Sequence, residues 1–478
     1  GRSNIALAWA FTTQSEVSIL KNQLRLIPQA LPAATANPLF LEDATLAIGP
    51  SCPGGCPNIE KFVIGEITVA ILLSPAGPFN PSGVPSIGKI PFLLTLPMPP
   101  QPTSGYPVTI FGHGLTGART NVLAIANRLA QGGQAALATD VVWHGDRTSC
   151  TGSHAVLPPG STDDFACADP MAQKCDAASG RCILRDRTSS SLRTCMFGMP
   201  SADQVCTNFG QGFCFSDGKC EGGDYSRDPT TTVPRISGWN MLNPSNQFTT
   251  RDNFRQQVID LSQLTHVLAP NTSGMSFNDQ LNAAVGRRID ATKINYAGQS
   301  LGGILGTLYT SVAPDVHNVV LNVPGGDPAN ILLTSPAFAT QKAALLATLA
   351  AEGIPQGTIG FDTFIGIAKW ILDPADPQNM SFSLLNGTGL PGDRKALVQY
   401  IADDQVVPNP TTIKLINGAN RLGITPIDVS FFSLLPTDPP PLSARHGFLL
   451  NFADPTVTMT AQCQVAHYVT TGAIGICP

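Results

Sequence analysis

The chain has 478 residues, 43% of them hydrophobic, which is enough to bury a large core. Only 13% are charged, the net charge is −5 and no basic run occurs, a balance that argues against nucleic-acid binding. No apolar stretch approaches the ~18 residues a membrane span requires, and no signal peptide is visible.

Gly1-Arg2-Ser3 lacks a Met, so the chain reads as a mature or trimmed form. Asn4 to Ser15, with Ile5, Leu7, Trp9 and Phe11 alternating, reads as a strand, and Glu16 to Arg25 as a short helix. Residues 27–60 are rich in Pro and Ala and read as loop. Residues 63–73 and 87–97 read as strands, the antiparallel start of a larger sheet. Tyr106 to Phe111 is an apolar strand that runs straight into Gly112-His113-Gly114-Leu115. A helix follows over Asn121 to Gln131, with Val122, Ile125, Ala126 and Leu129 on one face. Gln134 to Val142 is a further strand, ending at Trp143-His144-Gly145. This is a β-α-β unit, and open sheets of that kind place ligands at the carboxyl ends of their strands.

The sequence has 12 cysteines, and eight of them lie between Cys150 and Cys220. Cys52 and Cys56 form a close pair, and Cys463 and Cys477 lie near the C-terminal end. An even count clustered in a Gly/Ser/Asp-rich segment reads as disulfides formed outside the cytosol. A structural zinc site is the rival, but its usual pair of Cys-x-x-Cys knuckles is absent. Connectivity stays open. From Ser149 to about Arg235 periodicity is weak, so the segment reads as a disulfide-held excursion. Asp176 to Gly180 and Ser216-Asp217-Gly218 lack calcium-loop spacing and read as solvated turns.

Thr249 to Leu268 reads as a helix, with Phe254, Val258, Leu261, Leu264 and Leu268 on one face, and Leu281 to Val285 as another. Ile294 and Tyr296 then alternate along a strand into Gly298-Gln299-Ser300-Leu301-Gly302. This Gly-x-Ser-x-Gly pentapeptide implies a sharp strand-to-helix turn that lifts the Ser300 hydroxyl above the sheet. Val319 to Val323 is the next strand. Thr340 to Glu352 and Phe361 to Ile371 read as helices outside the sheet. Lys395 to Ile401 is a strand leading to Asp403-Asp404, and Thr411 to Ala419 is helical. Ser443 to Gly447, with His446, reads as a loop, and Thr460 to Thr471 as the last helix.

Nucleophilic acyl chemistry needs a base, an orienting carboxylate and two backbone N–H groups besides the serine. Ser300 is the candidate nucleophile, Asp404 the acid and His446 the base, in the chain order serine, acid, histidine. Asp403 stands beside Asp404, and Asp327 is the next acid to consider. The N–H groups of Leu115 and Leu301 are candidates for the oxyanion hole, with His113, Gly114, Gly298, Gln299 and Gly302 supporting the turns. His144 marks a second strand-end turn that could line the site. His467 falls in the last helix and reads as structural, and His154, His266 and His317 have no catalytic setting.

Gly112-His113-Gly114, Gly298 to Gly302, Asp404-Gln405-Val406-Val407-Pro408 and His446 together resemble an α/β-hydrolase. More narrowly, Phe11-Thr12-Thr13-Gln14-Ser15, Thr250 to Gln256 and Gln464 to His467 are similar to bacterial extracellular lipases of the virulence-factor type. The resemblance covers most of the chain apart from the cysteine segment. In such lipases the Phe-Thr-Thr-Gln-Ser stretch looks like the join to a β-rich N-terminal domain, which would here be absent or trimmed.

The resemblance implies one α/β-hydrolase domain over 1–478, with a mostly parallel sheet flanked by helices. From the residue pattern itself, 1–100 reads as a strand-rich extension, 149–235 as a lid-like cysteine-rich insertion and 328–392 as a helical cap. The expected activity is a secreted serine lipase or esterase using no metal or organic cofactor. Its substrate would be a small-molecule, lipid or polymeric ester, with contact to a lipid interface. A serine peptidase or other acyl hydrolase on the same fold, or a silent binding protein, are the alternatives.

Overall fold

The structure is a computed structural model that describes residues 20–21, 40–74, 77–80, 82–153, 157, 160–167, 170–177, 180–186, 193–195, 205–206, 219–220, 237–244, 246–269, 276–387, 389–421 and 426–477. The strand expected over Asn4 to Ser15 and the Phe11 to Ser15 stretch lie outside these residues. Of the helix expected over Glu16 to Arg25, Leu20 and Lys21 are described, and both are helical.

A nine-stranded sheet dominates the fold. Its strands are β1 (Phe40–Asp43), β2 (Ile59–Ile71), β3 (Ser86–Pro97), β4 (Tyr106–Gly112), β5 (Ala135–Thr139), β8 (Ile289–Gln299), β9 (Val316–Asn322), β10 (Lys395–Ile401) and β11 (Asp428–Phe432). Strands β6 (Gln173–Asp176) and β7 (Arg181–Leu184) form a separate hairpin. The sheet order is β1-β2-β3-β5-β4-β8-β9-β10-β11. Strands β5, β4 and β8 to β11 run parallel, while β1, β2 and β3 pair antiparallel.

Among the described residues the helices are α1 (Leu123–Gln131), α2 (Gln247–Leu268), α3 (Phe277–Val285), α4 (Leu301–Thr310), α5 (Pro328–Thr334), α6 (Ala339–Ala351), α7 (Ile359–Leu372), α8 (Asn409–Ala419) and α9 (Pro455–Thr471), besides several single turns. Strand alternation feeds two cores. Val108, Ile110, Leu137, Val319 and Leu321 face the side covered by α2, α3, α4 and α8. Phe111, Ala136, Ala138 and Val320 face the side covered by α1 and α9. Both faces of the parallel strands are therefore apolar, as a helix-covered parallel sheet requires.

Two parts of the sequence reading need correction. The segment 27–60, read as loop, contains β1, a helical turn at Thr45–Ile48 and the start of β2. The weakly periodic cysteine segment contains the β6–β7 hairpin, whose four-residue strands are too short to show alternation. Strand β11 is an addition that the apolar pattern did not show.

Helix α2 is unusual. Its apolar stripe is buried, but so are Asp252, Asn253, Gln256, Gln257 and Asp260. These polar side chains hold distant loops. Gln256 Oε1 accepts the Leu72 N–H at 2.8 Å, and Asp252 Oδ2 accepts the Phe79 N–H at 2.9 Å. Gln257 Oε1 accepts the Val142 N–H and Asn253 Oδ1 the Trp143 indole N–H, both at 2.9 Å. Asp260 pairs with Arg147 at 2.8 Å. Burying such groups is tolerable because each meets a hydrogen-bonding partner.

The cysteines pair as Cys52–Cys56, Cys150–Cys175, Cys167–Cys182, Cys206–Cys220 and Cys463–Cys477. Cys195, which lies against Cys206 and Cys220, is disulfide-bonded too, so this trio has no thiolate for a metal. Closing a 15-residue loop, as Cys167–Cys182 does, stabilises by about 3 kcal/mol in the chain-entropy view.

Candidate active site

Ser300 sits between β8 and α4 with φ 57° and ψ −119°, a conformation that an L-residue adopts only under constraint. The turn needs close backbone approach. A Cβ on Gly302 would run into the carbonyl of Gly112 at the end of β4, and one on Gly298 would run into Gly302. Tyr296, buried beneath, donates its hydroxyl to the Gly302 carbonyl at 2.7 Å. The Ser300 N–H donates to Asn322 at 2.9 Å, tying the turn to β9.

His446 stands over this turn. It lies at the C-terminal end of a short helix, Leu442–Arg445, rather than in an open loop. Its Nε2 lies 2.6 Å from Ser300 Oγ. Its Nδ1 lies 2.8 and 2.9 Å from the two carboxylate oxygens of Asp404. With Nδ1–H donating to the carboxylate, Nε2 is left to accept the serine proton. Asp404 is held in turn, since its Oδ1 accepts the N–H groups of Val406 and Val407 at 2.8 and 3.0 Å. Gln299 Nε2 donates to the His446 carbonyl at 3.1 Å.

The neighbouring acids are occupied elsewhere. Asp403 has a left-handed φ of 56° and a side chain 48% exposed, 3.3 Å from Arg445. Asp327 caps α5 and pairs with Lys369 and Lys414 at 2.8 and 2.7 Å. Hydrogen bonds from Lys369 and Lys414 outweigh the effect of burial and hold its carboxyl below the usual range.

Sequence reasoning missed Arg445. Its guanidinium is fully buried beside His446. It donates to the carbonyls of Ala402, Leu435, Asp438 and Pro440, and reaches Asp403. It thus ties the histidine segment to the end of β10. Only its position next to His446 hinted at such a role.

The loop after β4 reaches the serine from the other side. A Cβ on Gly114 would stand 3.3 Å from Ser300 Cβ and 2.7 Å from Gln299 Oε1. Among the described residues neither the Leu115 nor the Leu301 N–H donates to a protein acceptor. His113 holds this loop from beneath. Its Nε2 accepts the Val141 N–H at 3.0 Å, so Nδ1 carries the proton and donates to the Gly114 carbonyl at 2.8 Å. Burial pushes its pKa down and keeps the ring neutral. His144 packs against it with ring centroids 5.2 Å apart, and burial pulls its pKa to about 3. His144 is thus a buried support and not part of the serine–histidine–aspartate line. His467, in α9, hydrogen-bonds the Ala473 carbonyl at 2.9 Å.

No protein-family model matches the chain, and no curated protein does. Among solved structures it is similar to an acetyl xylan esterase from Paenibacillus sp. R4, at 13% identity over 89% of this chain and 90% of that one, with TM-score 0.42. It is similar to an esterase from Pyrobaculum calidifontis, at 13% identity over 98% and 96%, with TM-score 0.38. It is also similar to an acylaminoacyl peptidase from Pyrococcus horikoshii, at 9% identity over 88% of this chain and 42% of that one, with TM-score 0.41. The sheet itself identifies the architecture. A mostly parallel sheet, covered on both faces and carrying a strained serine turn between β8 and α4, is the α/β-hydrolase fold.

Proposed function

We propose that the protein is an exported serine ester hydrolase of the lipase or esterase kind. The observation that carries this reading is the continuous line from Asp404 through His446 to Ser300 Oγ. Ser300 Oγ attacks the ester carbonyl carbon while its proton passes to His446 Nε2. Asp404 holds the imidazole and stabilises its cation. The oxyanion is received by the N–H groups of Leu115 and Leu301. Collapse breaks the bond to the alcohol, which takes the proton from His446. Water then repeats the sequence on the acyl-enzyme and releases the acid.

The disulfides support export. Protein isolated without reductant is expected to show no titratable thiol, and eight free thiols would refute this part. The helices between β9 and β10, α5 to α7, are proposed as a cap. In support, Ser335 Oγ and the Ala337 N–H both donate to the carbonyl of Gln405, the residue after Asp404. Ile359, Ile367 and Trp370, the last 70% exposed, give α7 an apolar outer face suited to a lipid or polyester surface.

A panel of dissolved esters, one emulsified long-chain ester and peptides tests the reading. Ester turnover should exceed peptide turnover. Peptide preference would favour a peptidase, and no turnover a binding protein.

A further inference from the structure

We propose that a cleft beside the loop after β5 is the subsite for the apolar part of the ester, an assignment that rests on Ser300 being the nucleophile. The cleft has a volume of about 820 Å³, within the range of small-molecule sites. It is lined by Ile71, Leu73, Val84, Pro85, Val142 and Trp143, with uncharged polar residues and Arg147.

Its place in the fold links it to the serine. Ile71 pairs with Ser86 where β2 ends and β3 begins, six residues beyond Phe92, the partner of the last residue of β5, and on the same side of the sheet. Val142 and Trp143 follow β5, which lies two strands from β8. At ~4.8 Å per strand, Thr139 at the end of β5 stands ~10 Å across the sheet from the end of β8, and Val142 and Trp143 follow it by three and four residues. The intervening backbone is continuous with the site. Val141 donates to His113, His113 to Gly114, and Gly114 lies against Ser300.

The chemistry of the walls selects the occupant. Among the described lining residues Arg147 brings the only charge, and its guanidinium is spent on the Asp140 carbonyl and on Asp260. A neutral, apolar group is what the remaining surface suits. One wall is also fixed in advance. Val142, Trp143 and Arg147, and Leu72 and Phe79 beside the lining, are each held by a polar side chain of α2. Such a preformed cavity binds without first ordering its lining.

The group received could belong to the acid or to the alcohol of the ester, and two substrate series separate them. One series lengthens the acyl chain from acetyl to octanoyl on a fixed alcohol. The other enlarges the alcohol of an acetate. Ser86→Trp and, independently, Leu73→Trp would fill the cleft. On one of the two series, the ratio of kcat/KM for the largest substrate to that for the smallest should fall by about tenfold or more, from lost burial of methylenes. Melting temperatures verify that both variants fold. A second readout needs no turnover. Octanoate or octanol should change indole fluorescence in Ser300→Ala, and the change should vanish when Trp143→Phe is added. Unchanged ratios in both filled variants, with no Trp143-dependent signal, would overturn the proposal. Full activity in Ser300→Ala would instead sink the nucleophile assignment, whatever the fluorescence shows.

Discussion

Ser300→Ala is expected to lower ester turnover by about six powers of ten, the loss seen when the nucleophile of a serine protease is removed. The hydroxyl is the one group deleted, and its partner in the structure is His446 Nε2 at 2.6 Å. The proposed oxyanion donors at Leu115 and Leu301 would still polarise a bound carbonyl, so a small residual rate over water should persist. The fold should survive. The strain at φ 57° belongs to the backbone and is the same for alanine, and the turn is anchored by the Ser300 N–H and by Tyr296. The measurements are steady-state kinetics, a melting curve and labelling with a serine-directed phosphonate. Phosphonate on another serine would place the chemistry elsewhere.

Asp404→Asn should cost about four powers of ten in turnover, while Asp403→Asn should cost less than about tenfold. The difference follows from geometry. Asp404 is 5% exposed, and its Oδ1 is already committed to the Val406 and Val407 N–H groups. An asparagine there would keep its oxygen on those donors and turn its NH2 toward His446 Nδ1. Nδ1 would then have to accept, and Nε2 would carry a hydrogen toward Ser300, which is the wrong tautomer for a base. Asp403 points away, in a left-handed conformation that asparagine adopts equally well. Rates for the two variants, measured with the same ester, decide the matter. Equal losses would mean that Asp403 supports the site through Arg445 more than its exposure suggests.

The serine turn was legible because two periods meet there. Ile294 and Tyr296 alternate, and the glycines stand where backbone meets backbone. Ser300, Asp404 and His446 stand far apart in the chain, and the structure brings them into one hydrogen-bonded line with His446 in the middle. The edge strands were not legible. Strand β1 has four residues, and β11 is largely exposed, so neither shows an apolar alternation. On α2 the stripe from Phe254 to Leu268 could be read, but the roles of Asp252, Asn253, Gln256 and Gln257 could not. Each binds a loop more than 100 residues away or a turn that periodicity does not describe. Arg445 was hidden for the same reason, because its acceptors are mostly backbone carbonyls.

The described disulfides share one property that bears on how the chain matures. Their partners are at most 25 residues apart, and none links the cysteine segment to a strand of the nine-stranded sheet. The segment also leaves and returns at one place, where the Trp239 indole N–H donates to the Ser149 carbonyl at 2.7 Å. Short loops close at little entropic cost, so native pairs are favoured over distant ones during oxidation. Thiol oxidation, which takes seconds to hours, therefore need not hold back strand pairing. The sheet can assemble on its own timescale, and oxidative maturation becomes a set of local events confined to the segment and the two ends of the described chain.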